Sequence, residues 1–490
     1  MKKYIITLFV LTIAPLLGIN QTAVDALRYS QLQIGGSARY MSMGGAFGAL
    51  GADFTVTSTN PGGLGIYKSS DFLFTPSVHT GRANSTYNGF YGDDAKTNFA
   101  IGNAGYVLTK RLSSRTSASG FTHFQFAIGV NRLNDFNRKW QIVGENTENS
   151  LLDTYVEYAD GIFYRDIEDN RGGMYGFDLY PAWWTYLLDT QDTINNNYYS
   201  PVPYGGTLQR KNINQWGSMN EWTFAFGVNY NDILYLGMSF NIPWIRYYER
   251  STYNETDVAD TIYDFSSFNI YERLDTKGTG FTFKFGFILR PVDFIRIGGA
   301  IHTPTWYSMN DYWDVEMESY FDNGDYYTQA SPYGEYSYKL TTPMRVQGSL
   351  AFIIGRYGLV SGEYEFVDYS NANFSGHSYG FFNENEDISN GYQQGHNYKV
   401  GTEWRSGPFS FRAGYAYQGS PYANEINDGA INSYSGGIGF RDTFYYIDLA
   451  YVFSKRAEDY YLYGTENIQV NPVENELIDH RFLVTLGTRF

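Results

Sequence analysis

The connections between the strand-like segments of this chain are sorted by length, and that sorting limits the folds open to it. Fourteen segments read as β-strands, at roughly 70–80, 98–109, 121–133, 219–230, 233–249, 268–289, 294–312, 336–354, 357–368, 395–405, 409–418, 431–441, 443–455 and 479–490. The links Asn231-Asp232, Pro291-Val292-Asp293, Gly355-Arg356, Ser406-Gly407-Pro408 and Asp442 have one to three residues. The links between them, 250–267, 313–335, 369–394, 419–430 and 456–478, have 12 to 26. Short and long connections thus alternate strictly along the second half of the chain, which is what a membrane β-barrel produces, with tight turns at one rim and long loops at the other. A soluble sandwich or propeller gives no reason for loops to be sorted by parity.

Each segment also separates two chemistries with period two. Trp222, Phe224, Phe226, Val228 and Tyr230 alternate with Thr223, Ala225, Gly227 and Asn229, and Phe281, Phe283, Phe285 and Phe287 with Thr282, Lys284 and Gly286. At the C-terminus Phe482, Val484, Leu486 and Phe490 oppose Arg481, Thr485, Gly487 and Arg489. Such strands stand between an apolar medium and a polar one. The composition agrees: 47 Tyr, 36 Phe and 9 Trp make 19% of the residues aromatic, enough for a lipid-facing wall with interfacial girdles. A mean hydropathy of −0.38 and the lack of any internal run of 18 apolar residues exclude a helical membrane protein but not a barrel. The expected fold is therefore all-β, a 14-stranded antiparallel transmembrane barrel, as a monomer. Phe490 ends the closing strand on its apolar face, which resembles the signal read by the barrel-assembly machinery. A net charge of −16 opposes nucleic-acid binding, and zero Cys exclude a disulfide framework and thiolate chemistry.

Lys2 and Lys3 before the apolar run Tyr4 to Leu17 read as a signal peptide over residues 1–20. Localisation in the outer membrane of a Gram-negative bacterium follows, with outer-membrane lipids as surroundings. Residues 21–68 then precede the barrel at 69–490. They contain the small-residue stretch Gly35 to Asp53, with Gly-Ser-Ala-Arg at 36–39, and Asn60-Pro61-Gly62-Gly63-Leu64. Small residues let backbone pack on backbone, as a plug inside a barrel requires. The spacing does not match a phosphate-binding G-x-G-x-x-G loop.

The Gly-Ser-Ala-Arg start, the Ala52-Asp53 pair and Asn60-Pro61 resemble the hatch of the FadL/TodX family of outer-membrane transporters for long-chain fatty acids and other hydrophobic compounds. The family's Asn-Pro-Ala is Asn60-Pro61-Gly62 here. The resemblance implies an N-terminal hatch within the lumen, with Arg39, Asp53, Asn60, Pro61 and Gly62 as hatch and gating residues. It also implies capture of a hydrophobic small molecule or lipid by extracellular loops. Movement of the hatch and sideways exit where strand three kinks would follow. In this chain Phe124, Phe126, Ile128 and Val130 share a face, and Arg132 breaks the pattern, so either a kink or the membrane rim falls near Gly129, Asn131 and Arg132.

The insert at 135–215 carries 12 acidic and 6 basic residues and is extracellular by loop parity. Its Trp183, Trp184, Tyr186, Leu187 and Leu188 line either a capture groove for an apolar ligand or the loop's own small core. Its acidity disfavours free anions and leaves a neutral ligand open. Strand parity turns Lys284, Arg345, Glu363, Glu365, Lys399, Glu403, Arg412, Asp448, Arg481 and Arg489 toward the lumen. Charges there need partners, from one another or from Arg39 and Asp53, and a basic member is also a candidate for a ligand carboxylate.

No enzyme is expected, and no cofactor or metal. Gly376-His377-Ser378-Tyr379-Gly380 matches G-x-S-x-G, but in the polar stretch Asn371–Asn390 it lacks the strand and helix that a nucleophile elbow needs. The reading that fits best is passive, hatch-gated uptake of hydrophobic molecules such as long-chain fatty acids. A barrel of the same fold serving secretion or surface assembly is the alternative, and a soluble glycan binder stands behind both.

Overall fold

The computed structural model describes residues 21–112, 120–191, 196–423, 427–465 and 467–490. The expected signal peptide, residues 1–20, lies outside the described residues. The chain forms a closed antiparallel barrel of fourteen strands. They are β1 (Asp71–Tyr87), β2 (Phe90–Arg111), β3 (Phe121–Asp135, continued by Arg138–Asn146), β4 (Thr207–Tyr230), β5 (Leu234–Thr256) and β6 (Ser267–Val292). Then follow β7 (Ile295–His302 and Trp306–Tyr320), β8 (Gly334–Thr341 and Arg345–Ile354), β9 (Gly358–Asp368) and β10 (Gln394–Ser406). The last are β11 (Phe409–Gln418), β12 (Ile431–Arg441), β13 (Tyr445–Tyr460) and β14 (Val473–Arg489). Closure runs through β1 and β14, from Asp71 opposite Arg489 to Thr86 opposite Glu474. Phe490 completes it, exchanging backbone hydrogen bonds with Ser70 at 3.1 and 3.0 Å.

The alternation maps onto the two faces of the wall. Trp222, Phe226, Leu236, Phe281, Phe285 and Phe482 are exposed on the outside. Their neighbours Thr223, Ala225, Asn229, Ser239, Thr282 and Leu483 are buried inside. Asn231 and Asp232 both take φ near +50°, the left-handed geometry that a tight turn between twisted strands demands.

Several strand boundaries differ from expectation. β1 and β2 run on to Tyr87 and Phe90 and meet in a two-residue turn at Asn88-Gly89, both with positive φ. Asn-Gly is the strongest short-range hairpin signal. The residues on either side of it, such as Arg82, Asn84, Asp93 and Asp94, are polar on both faces, which hides the period of two. For the same reason β5 extends to Thr256, through much of what reads as a loop. β3 and β4 likewise extend to Asn146 and from Thr207, so the insert loop proper spans 147–206.

Inside the barrel lie α1 (Ala23–Ser30), α2 (Ala38–Ser42) and two short 3-10 turns, Phe54–Ser58 and Pro61–Ile66. Each turn starts at a side chain that accepts a backbone N–H: Ser37 from Tyr40, Asp53 from Thr55 and Asn60 from Gly62. The long loops add α3 (Leu151–Ala159), α4 (Tyr164–Glu168), α5 (Leu179–Trp184) and α6 (Phe382–Gly391). Among the described residues the apolar filling forms three large clusters and two small ones. Phe47, Phe54 and Leu64 pack against Leu73 and Val107 of the wall, Leu27 and Tyr29 against Tyr247 and Phe374, and Leu152 and Leu187 against Phe265 and Tyr463.

Candidate functional site: the hatch, the lumen and the β2–β3 gap

The hatch docks on glycines of the wall. A Cβ added to Gly237 would overlap the Pro61 carbonyl, one on Gly286 the Asn60 amide, and one on Gly298 the Gly48 carbonyl. The fit works in both directions, since a Cβ on Gly62 would stand 2.6 Å from the Phe287 backbone. Asn60 is fully buried and donates to the Phe287 carbonyl at 2.9 Å as well as to Gly48. Asp53 is held inside the hatch, accepting from Ser37 and Thr55. Departure from Asn-Pro-Ala to Asn60-Pro61-Gly62 therefore coincides with a contact that has no room for alanine.

Charge fastens the hatch on another side. Arg39 Nε donates to Glu403 at 2.8 Å, and its guanidinium lies 5.2 Å from the Phe47 ring centroid. Glu403 also accepts from Arg412 and Arg405, each at 2.7 Å, and Arg412 reaches on to Asp448 at 2.7 Å. Lys399 pairs with Glu363 at 2.8 Å, Arg345 with Glu365 at 2.9 Å, and Lys284 with Glu221 at 2.8 Å. Glu363 additionally accepts from the Gly48 amide. Acidic and basic wall residues thus satisfy one another and hold hatch groups, as charges withdrawn from water require. Arg481 instead donates to Gln33 of the hatch. Gln33 and Arg481 line a cavity of about 90 Å³ between the hatch and β8–β14, together with Tyr40, Met41, Lys399 and Ser433.

The wall ladder is interrupted at one place among the described residues. β3 pairs with β2 only from Arg111 opposite His123 to Asn103 opposite Asn131. Beyond that, β2 from Phe90 to Ile101 pairs with β1 alone, and the second half of β3 with β4 alone. β3 turns inward here. Its Arg132 and Leu133 carbonyls accept from Gly35 and Gln33 of the hatch at 2.9 Å. Gly129 packs with no space for a side chain beside Phe54 and the Ala104 carbonyl, and Asn131 donates to Thr57 and Ser58. Arg132 pairs with Asp135 at 2.8 Å. Phe136, in the break between the two halves of β3, wedges edge-on between Tyr29 of the hatch and Tyr247 of β5, at 6.1 and 5.4 Å. On the free stretch of β2, Phe99 is 72% exposed and Ile101 46%, so the gap begins within the apolar band of the wall.

The insert covers the mouth of the barrel at the rim of the long loops. Glu255 of β5, fully buried, accepts from Ser150, Leu151, Thr207 and Tyr253 at 2.6–2.9 Å. Leu187 and Leu188 are buried in a core that the loop shares with wall residues such as Ile142, Tyr253 and Ile270, whereas Trp184 and Tyr186 are about half exposed. Trp183 stacks on Tyr164 at 6.0 Å. The turn that ends α5, where Tyr186 takes a positive φ of 56°, separates the exposed Trp184 and Tyr186 from the buried Leu187 and Leu188. Ser378 lies between a short strand, Asn373–Ser375, and α6, neither foreseen in the sequence, and its hydroxyl faces Tyr336 at 3.5 Å.

Burial pushes Asp153 and Asp178 of the insert up to about 6. An acid raised on folding destabilises the folded form once the unfolded chain has ionised, so the cap loses stability as pH rises from about 4 to about 6. Limited proteolysis between residues 147 and 206 is therefore expected to be slower near pH 5 than near pH 7.5. Equal rates would show that neither carboxyl is desolvated.

No family model and no curated protein matches the sequence. Solved structures do. A Pseudomonas aeruginosa FadL homologue superposes with a TM-score of 0.55 at 12% identity, over 94% of this chain and 98% of its own. The Pseudomonas putida toluene transporter TodX gives 0.53 at 12%, over 94% and 99%. The Ralstonia pickettii toluene transporter TbuX gives 0.50 at 13%, over 93% and 98%. The fold is that of the FadL/TodX channels. At such identities the likeness extends to the architecture, a hatch within fourteen strands, and residue roles have to be argued from this chain itself.

Proposed function

We propose that the protein is an outer-membrane channel for passive uptake of hydrophobic molecules, gated by the hatch and released sideways through the gap between β2 and β3. The observation that carries this reading is the missing ladder above Asn103 and Asn131, inside the apolar band and beside a lumen closed by the hatch. A polar solute gains nothing from a door into lipid. A hydrophobic one avoids water and the polar outer leaflet by using it. Two of the three structural neighbours reported above are described as toluene transporters, and the third as a FadL homologue.

In this reading Trp184 and Tyr186 offer the first apolar contact at the mouth, and the cavity beside Gln33, Tyr40 and Met41 receives the molecule within. Lateral movement of Gln33–Gly35 away from β3 then joins that cavity to the gap. Neutral hydrocarbons and long-chain fatty acids both fit a route of this kind.

The test uses the absence of Cys. Lys96 of β2 donates to Asn214 of β4 at 2.7 Å across the gap. Lys96→Cys with Asn214→Cys, joined by a short bis-maleimide, staples the two sides. Uptake of radiolabelled toluene and oleate is expected to fall to the level of a strain lacking the protein, while each single-cysteine variant transports normally. Undiminished uptake after stapling would refute sideways release. Mass spectrometry of lipids and hydrocarbons retained by the purified barrel separates transport from a surface-assembly role.

A further inference from the structure

Where β3 leaves β2, main-chain hydrogen bonds are replaced by side chains from four strands. His79 of β1 meets Asp479 of β14 at 2.9 Å through Nε2 and Asp135 of β3 at 3.2 Å through Nδ1. Arg138 of β3 donates to both oxygens of Asp479 at 2.9 Å. Asp135 further accepts from Arg132, from the Asn137 amide and from Asn98 of β2. His79 and Asp479 are buried. The wall is shaped to receive the bent segment: a Cβ on Gly81 would lie 3.1 Å from the Asn137 carbonyl, and one on Gly92 would overlap that of Gln141. Thus β3 beyond Asp135 lies on the inner face of the β1–β2 hairpin, tied to β1 and β14, and the edge of β2 is left unpaired.

An unpaired strand edge beside another strand attracts it, and near Phe99 and Ile101, within the apolar band, each restored pair satisfies backbone groups that no water reaches in lipid. Something has to oppose that closure. We infer that His79, Asp135, Arg138 and Asp479 form a latch that holds β3 inward and so keeps the gap from zipping shut. They are positioning residues for sideways release, and the inference rests on that reading of the function. The latch works because its members come from β1, β3 and β14, so swinging β3 outward to β2 separates Arg138 and Asp135 from partners that cannot follow. A buried ion-paired cluster resists such separation strongly, because each charge left behind is uncompensated.

The experiment combines uptake with amide hydrogen exchange on the full chain in detergent or liposomes. Arg138→Gln with Asp479→Asn removes one charge of each sign, and His79→Gln removes the bridge. Retained heat-modifiable migration on gels certifies the barrel. In both variants oleate and toluene uptake is expected to fall roughly ten-fold, and amides of β2 between Phe90 and Ile101 to gain protection. Loss of structure alone would lower protection there, so the gain is specific to closure. Unchanged uptake and unchanged β2 exchange in folded variants overturn the latch, as does a loss of protection. If instead the staple between residues 96 and 214 fails to block wild-type uptake, it is sideways release that falls, whatever the latch variants do.

Discussion

Glu403→Gln is expected to loosen the hatch more than any other single change of charge. Glu403 is buried and is the shared acceptor of Arg39, Arg405 and Arg412. Neutralising it leaves Arg39 without its acid in the lumen and crowds the remaining guanidiniums, of which Arg412 keeps only Asp448. Removing one member of a buried pair costs about 3–5 kcal/mol, which corresponds to local opening more frequent by about two orders of magnitude or more. Hydrogen exchange of residues 35–66 should accelerate accordingly, and ion conductance in planar bilayers should rise, with the barrel strands still protected. Arg405→Gln serves as the control, since that side chain is 46% exposed and Arg39 and Arg412 still satisfy the carboxylate. A hatch equally protected in Glu403→Gln would mean that packing alone seats it.

The second large effect is steric. Gly237→Val places a β-branched residue that suits a strand at a lumen-facing position where its Cβ meets the Pro61 carbonyl, and Gly286→Val does the same to Asn60. The atoms met in Gly237→Val belong to the backbone and cannot rotate away, so the cost lies at or above the upper end of about 1–3 kcal/mol for overpacking. The barrel should still form, with the Asn60–Leu64 turn expelled, exposed to protease and permissive to small hydrophilic dyes. Both glycines face one hatch segment, so the double variant should cost less than the sum of the singles. Gly348→Val is the control: nothing lies within 4 Å of the added Cβ, and a change within about 0.5 kcal/mol is expected. A seated hatch in Gly237→Val would show that the hatch backbone has slack which the close contacts do not suggest.

Both predictions depend on features with different visibility in the sequence. Gly35 to Asp53 and Asn60-Pro61-Gly62 stand out as rich in small residues, which suits close docking of backbone on backbone. The glycines they dock on, 237, 286 and 298, read only as the small members of alternating strands. Glu403 and Arg412 are placed inside by parity, but parity says nothing about which acid meets which base. Arg39 is 364 residues away from Glu403 in the chain. The insert shows the same division. Its apolar residues Trp183 to Leu188 are plain in the sequence, whereas the fold buries Leu187 and Leu188 and leaves Trp184 and Tyr186 outside.

Strand three is the instructive case. Arg132 after Val130 marks a break in the alternation, which the membrane rim explains more simply than a bend. In the fold the β2 ladder stops at Asn131 and hatch backbone takes its place. His79 and Asp479, 400 residues apart, carried no local signal beyond being polar on a lumen face.

By itself the sequence determined the fourteen strands, their inner and outer faces, the parity of the loops and the presence of a small-residue plug. These follow from period-two patterning and turn chemistry, which are local and survive without knowledge of any partner. The tertiary structure alone decided where the wall comes apart, which charges hold the hatch, and what faces the mouth. Those depend on contacts between residues hundreds of positions apart, and a lumen closed on itself brings such residues together in ways that no local pattern records.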